Sequence, residues 1–313
     1  MNPPKDLNMP RFDVTLAGEL NLDLILYGLP EELPPERELL ADDMMLTLGG
    51  SSSIVAHNLA ALGCRVGFIS KIGNDPLGEI ALERLRESGV DVGNVLRDTK
   101  LKTGLTVILA RTHWRNILTY MGTISELGFE DLDFEYLCDS RHFHLSSYYL
   151  QRKLQPGIID LFRKLKAAGV TISLDTNDDP EGRWEDNIHQ VLKLVDVFMP
   201  NEREAKAIGG SDDLETAVER LAHIVPLIVV KAGPRGALAR RGKERFECRA
   251  VSVEIVDAVG AGDSFNAGFL SQFVQGAPIE SCLTVGNQTG AKSTTQPGGT
   301  EAFRKHRQIG SKA

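Results

Sequence analysis

The chain has little cysteine. Its four cysteines, Cys64, Cys138, Cys248 and Cys282, stand far apart in 313 residues. No C-x-x-C pair occurs, which excludes a zinc knuckle and a disulfide framework and points to a reducing cytoplasm. No apolar run approaches the roughly 18–20 residues of a membrane span. Met1–Arg11 is polar and proline-bearing without an apolar stretch, so a signal peptide is not expected. A basic excess is missing too. Lys plus Arg number 35 against 43 Asp plus Glu, a formal net charge of −8. That balance argues against nucleic acid as a partner. It leaves small anionic ligands open, because they answer to local sites. The metalloprotease pattern H-E-x-x-H, the nucleophile elbow G-x-S-x-G and internal repeats are all absent.

What remains is ordinary for a soluble globular protein: 42% hydrophobic and 25% charged residues, with 30 glycines. The length allows one or two domains. Residues 1–10 read as a flexible tail. Phe12, Val14 and Leu16 alternate with polar neighbours, as a strand does. Residues 29–43 are acidic and proline-rich and read as a surface excursion. From there helix and strand signals alternate. Ser52 to Leu62 has helical spacing and stops at Gly63, and residues 65–72 form a short apolar strand. Asp75-Pro76 starts a second helix that ends at Gly89. Residues 104–110 and 117–121 look like two strands around a turn. Later segments repeat the alternation: strand 141–145, helix 158–168, strand 170–174, strand 196–199, helix 213–223 and strand 227–230. This order predicts an α/β fold with a mostly parallel sheet. No linker divides it. One domain over 11–313 is expected, with a small β appendage from segments near 20–48 and 101–122.

The strongest chemical signal is the run from Asp257 to Gly268, DAVGAGDSFNAG. Residues 250–256 before it read as a strand, and residues 265–274 after it as a helix with Phe265, Phe269 and Phe273 on one face. The glycines therefore sit where a strand turns into a helix N-terminus, whose free N–H groups and dipole attract anions. Gly260 and Gly262 let the backbone approach such an anion. Asp263 falls in the first turn, where it would repel a phosphate unless it has a task, such as taking a proton from an attacking hydroxyl. The plainer alternative is a helix-capping Asp in a tight turn. A dinucleotide fingerprint fits poorly, because Phe265-Asn266 stands where its third glycine belongs. A second run, Gly286 to Ser293, nearly matches a P-loop, with Ala291 in place of its last glycine. The residues before it read as helix, whereas a P-loop follows a strand. His142 and His144 would share one face of a strand, but no third metal ligand accompanies them.

These residues carry a resemblance. The 257–268 run is similar to the C-terminal signature of the ribokinase-like (PfkB) carbohydrate kinases. Gly49 to Gly63 resembles their N-terminal signature, followed by Gly73-Asn74-Asp75-Pro76-Leu77-Gly78. Asn201-Glu202-Arg203-Glu204 resembles their N-x-x-E element, and Lys231-Ala232-Gly233-Pro234-Arg235-Gly236 their K-x-G-x-x-G nucleotide loop. The four blocks stand in the family's order.

The resemblance implies a ribokinase-like three-layer α/β fold with a small β-sheet lid. It also implies ATP-dependent, magnesium-requiring phosphorylation of a hydroxyl, expected to be primary, on a small sugar or sugar acid. Asp263 would be the general base, and the backbone of Gly260, Ala261 and Gly262 the anion hole. Asn201, Lys231, Gly233, Gly236 and Asn287 would serve the nucleotide. Glu204 would hold Mg2+ through water, and Asp257 matches a position linked to a monovalent cation such as K+. Asn21, Asp23, Gly49 and Gly50 would contact the sugar. The chain departs from the pattern at Ile54, where the family usually has Asn. Asp175-Thr176-Asn177 with Trp184 is faintly similar to the D-x-N…W stretch of fructokinases and ketodeoxygluconate kinases, but Asp179 stands where those carry Arg. A nucleoside kinase of the same fold and a non-catalytic sugar- or nucleotide-binding homologue remain open alternatives. Lid strands with exposed edges make a homodimer through the lid an expectation.

Overall fold

The computed structural model describes residues 9–111, 115–184 and 187–304. The expected tail, residues 1–8, lies outside them. Seven strands form a parallel sheet: β1 (Phe12–Ala17), β4 (Val66–Gly73), β5 (Asp91–Asp98), β8 (Ser140–Leu145), β9 (Thr171–Leu174), β10 (Val197–Phe198) and β11 (Leu227–Lys231). β12 (Ala237–Arg241) and β13 (Glu244–Cys248) continue it antiparallel, giving the order β13-β12-β11-β10-β9-β8-β1-β4-β5. β1 is an interior strand between β8 and β4, and all six of its residues are buried. It is covered on both faces, as parallel strands are.

Helices make the outer layers. α1 (Ser51–Ala61), α2 (Pro76–Glu87), α8 (Ala261–Phe273) and α9 (Ile279–Ser293) pack one face, around Val14, Leu16, Phe68 and Phe269. α3 (Phe134–Cys138), α4 (Ile158–Ala167), α5 (Ile188–Leu192), α6 (Glu202–Gly209) and α7 (Leu214–Ala222) pack the other, around Phe143, Phe162, Ile172 and Ile228. The result is a three-layer α/β fold.

A second sheet has the order β3-β2-β6-β7, from β2 (Asn21–Tyr27), β3 (Asp43–Gly49), β6 (Leu105–Ala110) and β7 (Arg115–Tyr120). Ile25 and Ile108 from this small sheet pack on Val259. Strand order reverses at β1, with β4 on one side and β8 on the other. In open α/β sheets ligands settle beyond the carboxyl ends of the strands at such a switch point.

Two sequence expectations need correction. Residues 250–256 form no ladder. Val251, Ile255 and Val256 are exposed, and Val256 N–H bonds instead to Thr294 O at 2.8 Å. The β12–β13 hairpin already occupies that end of the sheet. The near P-loop at 286–293 lies inside α9, so its N–H groups belong to helix bonds and cradle no phosphate.

Candidate active site

The functional residues converge at the carboxyl ends of the parallel strands. β1 leads into Gly18 and Glu19, β8 into Ser146 and Ser147, and β9 into Asp175 and Asn177. β11 ends on Lys231. α1 and α8 point their N-termini at the same place.

α8 opens on Gly260, in the left-handed region at φ 69°. A Cβ there would stand 2.5 Å from Gly299 Cα and 3.3 Å from Ile54 Cδ1. Only glycine suits both the backbone and the crowding. Ala261 N–H reaches Ala258 O at a long 3.4 Å, and the Gly262 and Asp263 N–H groups belong to the unpaired first turn. Around Gly262 the space is open: a Cβ would meet nothing nearer than Lys231, at 3.8 Å. The slot between this helix end and the Lys231 ammonium thus has positive character on both sides.

Asp263 lies at the back of the slot, 8% exposed. Burial, and then the nearby Asp175, push its carboxyl up to about 7, against the pull of Lys231 and of the Ser51 hydroxyl. Lys231 Nζ pairs with Asp175, whose side chain is wholly buried, and Asn266 Nδ2 donates to the same oxygen at 2.5 Å. Burial alone would depress Lys231, but Asp175 and Glu204 hold its ammonium above the ordinary value.

Asn201 caps α6. Its side chain accepts from Glu204 N–H at 2.9 Å, and Glu204 Oε2 accepts from Asn201 N–H at 2.8 Å. Burial and then Asp175 raise Glu204 to about 7, with Lys231 opposing. Gly233 and Gly236 take φ of 55° and 97° in the loop after β11. A Cβ on Gly236 would collide with the backbone of 248–250. Asn287 donates both amide hydrogens to the Cys248 and Arg249 carbonyls, each at 3.0 Å. Gly236 and Asn287 therefore fix one segment from two sides.

The small sheet supplies the facing wall. Asn21 and Asp23 lie on β2, Asn21 opposite Gly49 and Asp23 opposite Thr47 on β3. A Cβ on Gly49 would overlap Asp23 Oδ1, and one on Gly50 would stand 2.5 Å from Asn21 Oδ1. Asp23 is pushed up to about 7 by burial and then by Asp263, with a bond from Thr106 opposing. Asn21 Oδ1 is buried without a hydrogen-bond partner. Such an orphan acceptor calls for a donor that only a ligand would bring. Asp257 Oδ1 accepts from Val259 N–H at 2.9 Å, and its Oδ2 from Gly298 N–H at 2.9 Å and Tyr27 OH at 3.4 Å. It ties the small sheet to the turn that precedes α8.

Sequence reasoning met Asp175 only in the faint D-x-N…W resemblance and gave no role to it, nor to Asn266, Ser51 or Glu19. Asp175 follows a buried parallel strand, which was an available signal. Ile54 is 2% exposed and fills the space beside Gly260 and Gly299. Asp179 accepts from the Glu181, Arg183 and Trp184 N–H groups at 2.7–2.9 Å and so shapes its own loop. His142 and His144 are both pushed down to about 3, His142 by burial and then His144, His144 by burial and then Lys231. All four of their ring nitrogens contact hydroxyls of Thr171, Ser173 or Ser146 at 2.7–2.9 Å, which leaves no lone pair directed at a metal.

Comparison with known proteins identifies relatives of the whole chain. The chain is similar to a 2-dehydro-3-deoxygluconokinase of Bacillus subtilis, with 29% identity over 84% of this chain and 86% of that one. It is 30% identical to a cytidine kinase of Thermococcus kodakarensis, over 88% and 93% of the two chains. An E. coli protein provisionally assigned as ribokinase II, solved with ATP and Mg2+, superposes with a TM-score of 0.83 at 26% identity, over 94% of this chain and 96% of that one. The pfkB family carbohydrate kinase model matches residues 12–306. The chain belongs to the pfkB family of carbohydrate kinases, phosphotransferases that take an alcohol group as acceptor.

Proposed function

We propose that the chain transfers the γ-phosphoryl group of ATP to a hydroxyl, expected to be primary, of a small sugar or sugar acid. One observation carries this reading. Asp263, at about 7, lies between a polar clamp on the small sheet and an anion slot at the start of α8. A general base works best when its pKa lies near the operating pH.

The roles follow from position. Asn21 and Asp23 accept hydrogen bonds from acceptor hydroxyls, with Gly49 and Gly50 giving the backbone clearance for this. The reacting hydroxyl gives its proton to Asp263. Its oxygen forms the new bond to the γ-phosphorus as the bond to the β–γ bridging oxygen breaks, and ADP leaves. The N–H groups of Gly260, Ala261 and Gly262, with Lys231, stabilise the charge on the transferring group. Asn201, Gly233, Gly236 and Asn287 shape the nucleotide side. Glu204, the capping partner of Asn201 on α6, would hold Mg2+ through water. That ion would neutralise phosphate charge. K+ near Asp257 is a further element of the proposal.

Outside the site, the opposite face of the small sheet carries Met44, Leu24, Leu26, Val107, Leu109, Leu118 and Tyr120 in register. Met44, Leu118 and Tyr120 are 58%, 55% and 54% exposed. We assign this face to a second copy of the chain, and the reaction to the cytoplasm, in keeping with four free cysteines.

An ADP-release screen tests the function. The panel is D-ribose, D-fructose, 2-dehydro-3-deoxygluconate, cytidine and adenosine, each with and without K+. Turnover on a sugar or sugar acid is expected. Turnover on nucleosides alone transfers the assignment to a nucleoside kinase, and none with any alcohol leaves a binding protein.

A further inference from the structure

The start of α8 is held without a capping side chain. Its N-cap is Gly260, and no side chain accepts there in its place. A Ser, Thr or Asp at that position would take up the N–H of Gly262 or Asp263. Those are the donors an anion at the helix start needs free. The turn must therefore be fixed from another side.

It is fixed from behind, by α1 and the buried Gly299. A Cβ on Gly260 would stand 2.5 Å from Gly299 Cα, and one on Gly299 would stand 2.9 Å from Ile54 Cδ1. Asn58 follows Ile54 by one helical turn and shares its side of α1. Asn58 Nδ2 donates to Gly299 O at 3.0 Å and to Ser264 Oγ at 2.9 Å. Ser264 belongs to α8 itself, and its N–H closes the first turn onto Gly260 O at 2.8 Å.

The hydrogens in this cluster have one arrangement. A carbonyl only accepts, so the Asn58 atom facing Gly299 is the amide nitrogen. Its two hydrogens go to Gly299 and Ser264. Ser264 then sends its own proton to Gly299 O, at 3.3 Å. Asn58 Oδ1 is left to accept, and His57 Nδ1 supplies the hydrogen at 2.8 Å. Asn58 and Ser264 are fully buried. α1 and α8 also contribute Val55, Leu59, Phe265 and Phe269 to one apolar cluster. Apolar packing has no direction and would hold the two helices together without setting their register. A satisfied polar network does set it.

We propose that Asn58 is a positioning residue for the anion hole. Through Ser264 and Gly299 it holds the first turn of α8 in place while leaving the N–H groups of 260–262 free for the transferring phosphoryl group. The inference rests on that backbone being the anion hole.

The test uses the full chain and the panel compound with the highest turnover. Asn58→Leu keeps the volume and removes both donors. It is expected to lower kcat about 30-fold, with KM for ATP within about twofold of wild type. Calorimetry adds a readout without turnover. The affinity for MgADP alone should hold in Asn58→Leu, and the affinity for MgADP with aluminium fluoride and the acceptor, which mimics the transferring group, should fall by a similar factor. Ser264→Ala should act the same way more weakly, about fivefold, and Ser264→Thr, which keeps the hydroxyl, should restore the rate. The double variant Asn58→Leu, Ser264→Ala should be no slower than Asn58→Leu, because both cut one cluster. The proposal is overturned by a kcat within about twofold of wild type in Asn58→Leu, by equal losses of affinity for MgADP with and without aluminium fluoride, or by effects that multiply in the double variant. If Asn58→Leu does not fold, Ser264→Ala against Ser264→Thr decides alone. A wild-type chain that binds MgADP no tighter with aluminium fluoride than without it removes the anion hole itself. A tight wild-type complex that Asn58→Leu forms equally well removes only the role of Asn58.

Discussion

Replacing Asp263 by Asn should make the protein slower and more stable at once. The carboxyl is pushed from an ordinary 3.8 up to about 7 in the folded chain. Each pKa unit corresponds to about 1.4 kcal/mol, so the shift stands for about 4 kcal/mol as a ceiling. Below pH 4 both folded and unfolded chains hold the proton and the cost is nil. Between about pH 4 and 7 the unfolded chain releases the proton while the folded one keeps it, so stability falls as pH rises. Above pH 7 the whole cost applies. The amide of Asp263→Asn has no such cost. Because Asp23 is itself raised in part by Asp263, it also relaxes in the variant and adds to the gain. Urea unfolding followed by circular dichroism at pH 5 and pH 8 reads the difference. The variant should gain on the wild type between the two by up to about 3 kcal/mol, the share of the cost that falls above pH 5. Its kcat should fall by about 10²–10⁴, the span of a positioned general base. A variant no more stable than wild type at pH 8 would refute the electrostatic reading, and near-wild-type turnover would refute the mechanism.

Two further outcomes are expected. Gly49→Ala places a Cβ against Asp23 and within 2.9 Å of Asn21 Nδ2, so kcat/KM for the acceptor should drop about 100-fold while KM for ATP holds. An unchanged acceptor KM and kcat would remove Asn21 and Asp23 from the clamp. Leu118→Lys puts a charge on the outer face of the small sheet and should turn a dimer into a monomer in sedimentation equilibrium. A wild-type chain that sediments as a monomer would dispose of the paired-lid assignment.

Much of this arrangement is legible in the sequence because its signals are local. A glycine at a helix start, as at Gly260, has one main physical use, and the alternation of β8, α4, β9 and β10 follows from hydrophobic period and stop residues. Segment 250–256 misleads for the opposite reason. Its alternating apolar pattern is that of a strand, but a strand needs an open neighbour, and pairing is decided by the hairpin of β12 and β13. Glu19 is legible least of all. Its donors come from Ser52, Ser147 and Gln151, which are brought to it only by folding. Nothing in the residues around Glu19 marks it apart from a surface acid.

The two sheets make separate decisions. Asn21, Asp23 and Thr106 stand in the four-stranded sheet, which shares no ladder with the nine-stranded one. The nine-stranded sheet carries Asp175 and Lys231, and the helix that carries Asp263 packs on it. With the roles proposed above, substitutions in the small sheet would alter which alcohol is chosen without disturbing the ladders beneath Asp175 and Lys231. On that proposal the molecule is modular: its substrate range could drift in one thin layer while its chemistry stays fixed in the other.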